Sequence, residues 1–305
     1  MRIAITGASG LVGSALVPHL AARGHDVVRL QRARRTDRPG SDAQVGAHTW
    51  SPDRGLDHPE RLGAIDAVVH LAGESVAGAR WSTAVKARIR DSRVGPTRAF
   101  AQSLATLPHR PKVMVSASAI GFYGDRGNEP LTEHSPAGSG FLADVCREWE
   151  HATTPATAAG IRVVTVRFGI ILDARGGALG KMRLPFSLGL GGRLGSGEQI
   201  YSWVAMADVV GALTLALERE ALQGPVNVTA PHPVSNAEFT RTLGRVLQRP
   251  TVIPVPAFAL RAAVGELADA ELLSSKRVLP QALEAAGYRF AHPHLEDALR
   301  ATLQP

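Results

Sequence analysis

Arg2-Ile3-Ala4-Ile5-Thr6-Gly7-Ala8-Ser9-Gly10-Leu11-Val12-Gly13-Ser14-Ala15-Leu16 follows the first methionine. Its opening five residues have the apolar and β-branched character of a buried strand, and a helical pattern starting at Leu11 runs to Arg23 and stops at Gly24. Gly7, Gly10 and Gly13 fall between the two. Glycines at that spacing allow a tight turn, close approach of an anion to the backbone, and close packing of helix against strand. The spacing alone is weak evidence; its place between a first strand and a first helix gives it weight.

Outward from this turn, further apolar runs at Asp26 to Leu30, Ala67 to Leu71, Lys112 to Ala117 and Ile161 to Arg167 alternate with helical patterns. Alternation of this kind predicts an α/β fold, a Rossmann-type doubly wound parallel sheet with helices on both faces. Trp81 to Leu107 reads as one long helix with a kink at Gly95-Pro96. Loops are expected at Gly121 to Gly140 and at Gly176 to Gly197. Beyond about residue 180 the periodicity weakens and prolines accumulate, which predicts a smaller C-terminal α+β lobe. The expected division is 1–180 for the sheet domain and 181–305 for a substrate or lid lobe, with part of the later chain free to return to the sheet.

The 305 residues are 45% hydrophobic, and mean hydropathy is zero, as expected of a folded domain rather than a disordered chain. No run approaches the roughly 18 to 20 apolar residues of a membrane helix, and the chain starts in a strand rather than a signal pattern, so a cytoplasmic protein with no membrane partner is expected. A single cysteine, Cys146, excludes an internal disulfide and a cysteine zinc site. Net charge is +7, and residues 1 to 39 hold seven arginines against two aspartates. A local excess of that kind fits a small anionic ligand better than a nucleic acid.

The anion is read from the second strand. NAD-binding folds place an acid about 20 residues past the glycines, to accept from a ribose hydroxyl. Here the strand ends Arg29-Leu30-Gln31-Arg32, with Arg34 and Arg35 close behind and no acid. Guanidinium groups suit a 2′-phosphate through forked hydrogen bonds, so NADP is expected, with Arg32, Arg34 and Arg35 at its phosphate. The alternative is a solvated basic loop.

Thr6-Gly7-x-x-Gly10-x-x-Gly13 together with His70-Leu71-Ala72-Gly73 resembles the extended short-chain dehydrogenase/reductase superfamily. A narrower resemblance, to its atypical sugar-nucleotide epimerase-like branch, rests on His70 to Glu74, Arg80-Trp81, Ser92-Arg93, Ser116 to Ala119 with Tyr123-Gly124, Trp149-Glu150 and Arg167-Phe168-Gly169. Gly195 to Gln199, Ser202-Trp203 and Asn227-x-x-Ala230-Pro231 extend it over nearly the whole chain. The resemblance implies that Gly7, Ser9, Gly10, Leu11, Val12 and Gly13 hold a pyrophosphate, and that Leu71, Ala72 and Gly73 line the adenine and ribose. It places Ser116, Ala117 and Ser118 beside a nicotinamide, with Arg167, Phe168, Gly169 and Ile170 closing over it. Glu74, Arg80 and Trp203 become substrate candidates.

That superfamily works through Tyr-x-x-x-Lys, and this chain lacks it. Tyr123, Tyr201 and Tyr288 are followed four residues on by Gly127, Ala205 and His292. Helix Gly140 to Arg147, where the pair belongs, offers Phe141 or Leu142 and Val145 or Cys146. Arg93 stands where the superfamily often has asparagine. Ser118 alone survives of the usual set, and Tyr123 is the replacement acid expected to face the crevice if Arg93 or Lys86 lowers its pKa; otherwise it is a packed loop tyrosine. Glu74 reads as a general base or a helix-start carboxylate, Asp125 and Glu133 as solvated, and Asp208 as a capping acid of helix Val209 to Arg219. Cys146 reads as an inert core thiol and His70 as a satisfied core histidine. Trp81, Trp149 and Trp203 line a pocket or anchor packing. His292-Pro293-His294 lacks metal-ligand spacing, and no metal is expected. Two functions follow: an oxidoreductase or epimerase acting on a small hydroxylated or carbonyl substrate, possibly nucleotide-linked, or a non-catalytic NADP(H) sensor or scaffold. Oligomeric state stays open between monomer and homodimer.

Overall fold

The computed structural model describes residues 1–33 and 48–304. Eight strands form the main sheet: β1 (Arg2–Thr6), β2 (Asp26–Arg32), β3 (His48–Ser51), β4 (Gly55–Leu56), β5 (Ala67–His70), β6 (Val113–Ala119), β7 (Arg162–Phe168) and β8 (Gly224–Val228). Their spatial order is β8-β7-β6-β5-β1-β2-β3-β4, parallel throughout except for the antiparallel β3–β4 hairpin at one edge. Four of the five expected central strands start or end within two residues of the sequence reading, and β1 matches it. The β3–β4 hairpin was not anticipated: its strands are too short for periodicity to register.

Both faces of the sheet are covered, as continuous apolar runs require. Ile3, Ile5, Val113 and Val115 pack beneath helices Leu11–Ala22 and Met206–Glu218, while Ala4, Val68 and Met114 face helix Val94–Ala105. From β1 the chain winds outward to β2, then returns to place β5 on the other side of β1. That reversal opens a crevice at the carboxyl ends of β1 and β5, where ligands bind in open α/β sheets.

The long helix expected over 81–107 is two, Thr83–Asp91 and Val94–Ala105, broken at Ser92-Arg93 rather than kinked at Gly95-Pro96. Pro96 sits in the first turn of the second helix, where a missing N–H costs nothing. Past β7 the chain leaves the sheet, returns through helix Met206–Glu218 and β8, and leaves again. The lobe is therefore assembled from two stretches. Leu179, Trp203, Phe239, Leu243 and Leu299 form its core. Parallel pairing of Trp203–Ala205 with Ile170–Leu172 ties it to the sheet domain. Asp208 does more than sit at a helix start: it is fully buried and accepts from the amides of Ala291 and His292 at 2.7 and 3.0 Å, pinning the C-terminal segment.

Candidate functional site

Each glycine of the turn between β1 and helix Leu11–Ala22 has its own reason. Gly7 adopts φ +68°, and a Cβ there would lie 2.9 Å from the Leu71 carbonyl carbon. A Cβ on Gly13 would come within 2.3 Å of the Gly7 carbonyl oxygen, so this glycine lets the helix close onto the turn. Gly10 is the N-cap residue, with extended backbone and no side chain to cap the helix, and the first turn holds no acid. Its amide donates to Gly7 O at 2.9 Å. The uncapped amides that follow suit a phosphate, so this turn fits a dinucleotide.

Beside the turn lies a cavity of about 950 Å³, lined by Gly7, Ala8 and Ser9, by Ala72, Gly73 and Glu74 beyond β5, and by Arg29, Gln31 and Arg32 of β2. No carboxylate of β2 faces it. Arg34 and Arg35 lie outside the described residues. Trp50, Pro52 and Arg88 also line the cavity and escaped the sequence reading; Trp50 and Pro52 belong to the hairpin, which had no periodic signal. Glu74 is not at a helix start, because helix Thr83–Asp91 begins nine residues later. Its exposed carboxylate lies 3.5 Å from Arg88 Nε, and its carbonyl accepts from Arg93 Nη2 at 2.6 Å.

Ser118 and Tyr123 do not face the crevice. Ser118 Oγ donates to Glu150 Oε1 at 2.7 Å, and both Glu150 oxygens are held by Arg167 at 2.8 Å. Arg167 Nη1 donates to the Tyr123 hydroxyl at 2.9 Å, and that hydroxyl lies 2.7 Å from Asn227 Oδ1 and 3.0 Å from Thr132 O. Tyr123 is fully buried, and burial raises its pKa against the opposing pull of Arg167. Neither Arg93 nor Lys86 is among its partners. The packed-tyrosine alternative holds, and Ser118, Tyr123 and Arg167 form one buried polar network. Ser116 and Ala117 are buried in the same strand. Glu133, expected in solvent, is also buried: Oε1 accepts from the amides of Asn227 and Ala282 at 2.9 and 3.1 Å. Asp125 is exposed but accepts from the Ser275 amide at 3.2 Å.

A second cavity, of about 410 Å³, opens on the other side of the turn. Leu11, Phe168, Gly169 and Ile170 line it, and from the end of β6 it is Ala119, not Ser118, that reaches it. Side chains alternate along a strand, so Ser118 and Ala119 point to opposite faces. Arg93, Lys181 and Glu271 are the charged residues of its lining. Glu271 lies in a π-helical turn, Ala268–Leu272, a distortion that is frequent at functional sites. Cys146 also lines the cavity; burial pushes its thiol up to about 12, so it stays protonated. Trp149 lines it too, its Nε1 donating to Thr97 Oγ1 at 2.9 Å.

Trp203 is fully buried in the lobe core, its Nε1 donating to His232 O at 3.1 Å, and Arg80 donates to Ala262 O at 3.0 Å; neither lines a cavity described here. Val12 packs against the sheet core. His70 bridges Thr6 Oγ1 at 2.8 Å and Thr97 Oγ1 at 3.1 Å and stacks on Phe100. Burial takes its pKa down to about 3, so the ring is neutral.

A family model described as "NAD dependent epimerase/dehydratase family" matches residues 3–229, and a second, "Domain of unknown function", matches 255–302. The chain is 44% identical over 304 residues to "Epimerase family protein Mb2239" of Mycobacterium bovis, covering 99% of this chain and 98% of the relative. It is similar to the crystal structure of human epimerase family protein SDR39U1 with NADPH, at 34% identity and TM-score 0.88 over 99% of both chains. A nucleoside-diphosphate sugar epimerase from Corynebacterium glutamicum matches at 37% identity and TM-score 0.80, covering 99% of this chain and 58% of that one.

Proposed function

The chain belongs to the NAD dependent epimerase/dehydratase family, and from that premise we propose that it binds NADP(H) and acts on a small hydroxylated or carbonyl substrate in the 410 Å³ cavity. The observation that carries the cofactor choice is the end of β2, from which Arg29 and Arg32 line the larger cavity while no acid of that strand does. The amides following Gly10 hold the pyrophosphate, Arg32, joined in sequence by Arg34 and Arg35, meets the ribose phosphate, and Ala72 and Gly73 flank the adenosine. When bound, NADP(H) supplies a hydride donor or acceptor. The human relative's complex with NADPH supports this reading.

Proton handling falls to the second cavity. Cys146 holds its proton, and Tyr201, pushed up to about 12 by burial, donates to Leu272 O at 2.8 Å. Glu271, Lys181 and Arg93 are the charged side chains of the wall, and of these Glu271 is the one whose carboxylate can accept a proton from a substrate hydroxyl. Glu271 keeps 32% of its side-chain surface exposed, enough for a substrate to reach it. Ser118 and Tyr123 act as positioning residues, fixing Arg167 and Glu150 behind the cavity.

Screening carbonyl compounds for NADPH consumption tests the reading. Glu271→Gln is expected to lower turnover by about 10²- to 10⁴-fold while leaving NADPH affinity unchanged. Full activity in that variant overturns the assignment. A non-catalytic sensor is favoured by one observation, that the surviving Ser118 does not reach the cavity; tight NADPH binding without any turnover across the screen decides for it.

A further inference from the structure

The smaller cavity is walled mainly by apolar side chains. Leu11, Ile120, Leu142, Phe168, Ile171 and Met182 make it largely apolar. A nucleotide-linked sugar carries a diphosphate and many hydroxyls, each losing hydration on entry and each needing a partner to offset that loss. At about 410 Å³, the space also sits at the small end for ligand pockets. The wall is built for an apolar body with few polar atoms.

Arg93 shows where the polar atoms go. It stands at the break between helices Thr83–Asp91 and Val94–Ala105, and its head lies where the two cavities adjoin: Gly73, Glu74 and Ser92 line the larger, Arg93 itself the smaller. Its guanidinium donates to Ile89 O at 2.9 Å, Ser92 Oγ at 3.1 Å and Glu74 O at 2.6 Å, and lies 5.0 Å from the Trp149 ring. These contacts clamp the head in place with three of its five N–H groups. Among the described residues no carboxylate lies within 4.0 Å of it. A largely buried charge ordinarily has an anionic partner, and Arg93 lines the apolar cavity, from which a bound anion can reach it. Lys181, on helix Gly177–Ser187, adds a second positive charge to the wall.

Resting on the reading that this cavity is the substrate site, we propose that it takes a small, largely apolar molecule bearing one carboxylate, held by the Arg93 guanidinium, and that it rejects nucleotide-linked sugars. The apolar wall takes the body of the molecule. Arg93 fixes its charged end, and Glu271 disfavours a second anionic group in the same space.

Calorimetric titration with 4-phenylbutyrate, its uncharged analogue 4-phenyl-1-butanol, and UDP-glucose, each with and without saturating NADPH, tests the proposal. The acid is expected to bind about tenfold or more tighter than the alcohol, the range of a charge-assisted hydrogen bond, and UDP-glucose to give no binding. Arg93→Met should bring the acid down to the alcohol. Because Arg93 also clamps the chain at Glu74, a second variant guards against misfolding: Leu142→Asp places an acid in the first turn of helix Phe141–His151, where a helix welcomes it, and should abolish binding of the acid. Equal affinity for acid and alcohol, tight UDP-glucose binding, or unchanged acid binding in the folded Leu142→Asp protein overturns the proposal. A protein that binds 4-phenylbutyrate as described but not NADPH instead sinks the cofactor reading and leaves this one standing.

Discussion

Arg167 retains 4% of its side-chain surface and Glu150 15%, so their ion pair is largely shielded from solvent. Taking away one partner strands the other charge, which costs about 3 to 5 kcal/mol. Glu150→Ala is expected to lower unfolding free energy by about that amount in urea titration, and a loss under about 1 kcal/mol contradicts the network. His70 makes a pH prediction. Its folded pKa of about 3 lies below the ordinary 6.5, so below pH 6.5 the unfolded chain takes up a proton that the folded one refuses. Stability therefore falls as pH drops from 6.5 toward 3, by about 1.4 kcal/mol per unit from this group. His70→Gln should flatten the pH 4 to 6 slope of stability by about that amount; an unchanged slope overturns the assignment. The neutral, bonded state of His70 was legible from its place at the end of an apolar strand. The orientation of Ser118 was not, because parity along β6 says which residues share a face but not which face meets the cavity. Packing against helix Phe141–His151, remote in sequence, decides that.

At the scale of elements, the glycine turn was legible because each of its constraints is local: strand, glycines and helix follow within a dozen residues. The structure separates their roles in a way the spacing alone did not. Gly13→Ala drives a Cβ to 2.3 Å from Gly7 O and should destabilise the fold, whereas a Cβ on Gly10 meets Gly7 O at 3.2 Å, which a small adjustment relieves. Gly10→Ala is thus expected to stay folded by circular dichroism and lose NADPH affinity. A Gly13→Ala protein as stable as wild type, or a Gly10→Ala protein binding NADPH normally, contradicts the turn's assignment. The break at Ser92-Arg93 was misplaced for an equally physical reason. Gly95 and Pro96 are strong breakers inside a helix, but Pro96 is harmless in a first turn, and the signal read as a kink marked a helix start.

Over the whole molecule, the sheet and its crevice were legible from alternating strands and helices, while the composition of the lobe was not. Short strands such as Ile200–Tyr201 and Arg277–Val278 pair with partners tens of residues away and leave no periodic trace. No helix among the described residues is long and apolar enough to cross a membrane. The positive charge near the N-terminus finds its use at the crevice: Arg29 and Arg32 reach the larger cavity beside the glycine turn. Specificity for the phosphorylated cofactor is thus the property on which the functional account turns. Side-by-side fluorescence titration of NADPH and NADH, on wild type and Arg32→Ala, measures it directly. The account predicts NADPH tighter by about tenfold or more, and a narrowed ratio in the variant through weaker NADPH binding alone. Equal affinities in wild type, or NADH binding tighter, would contradict it.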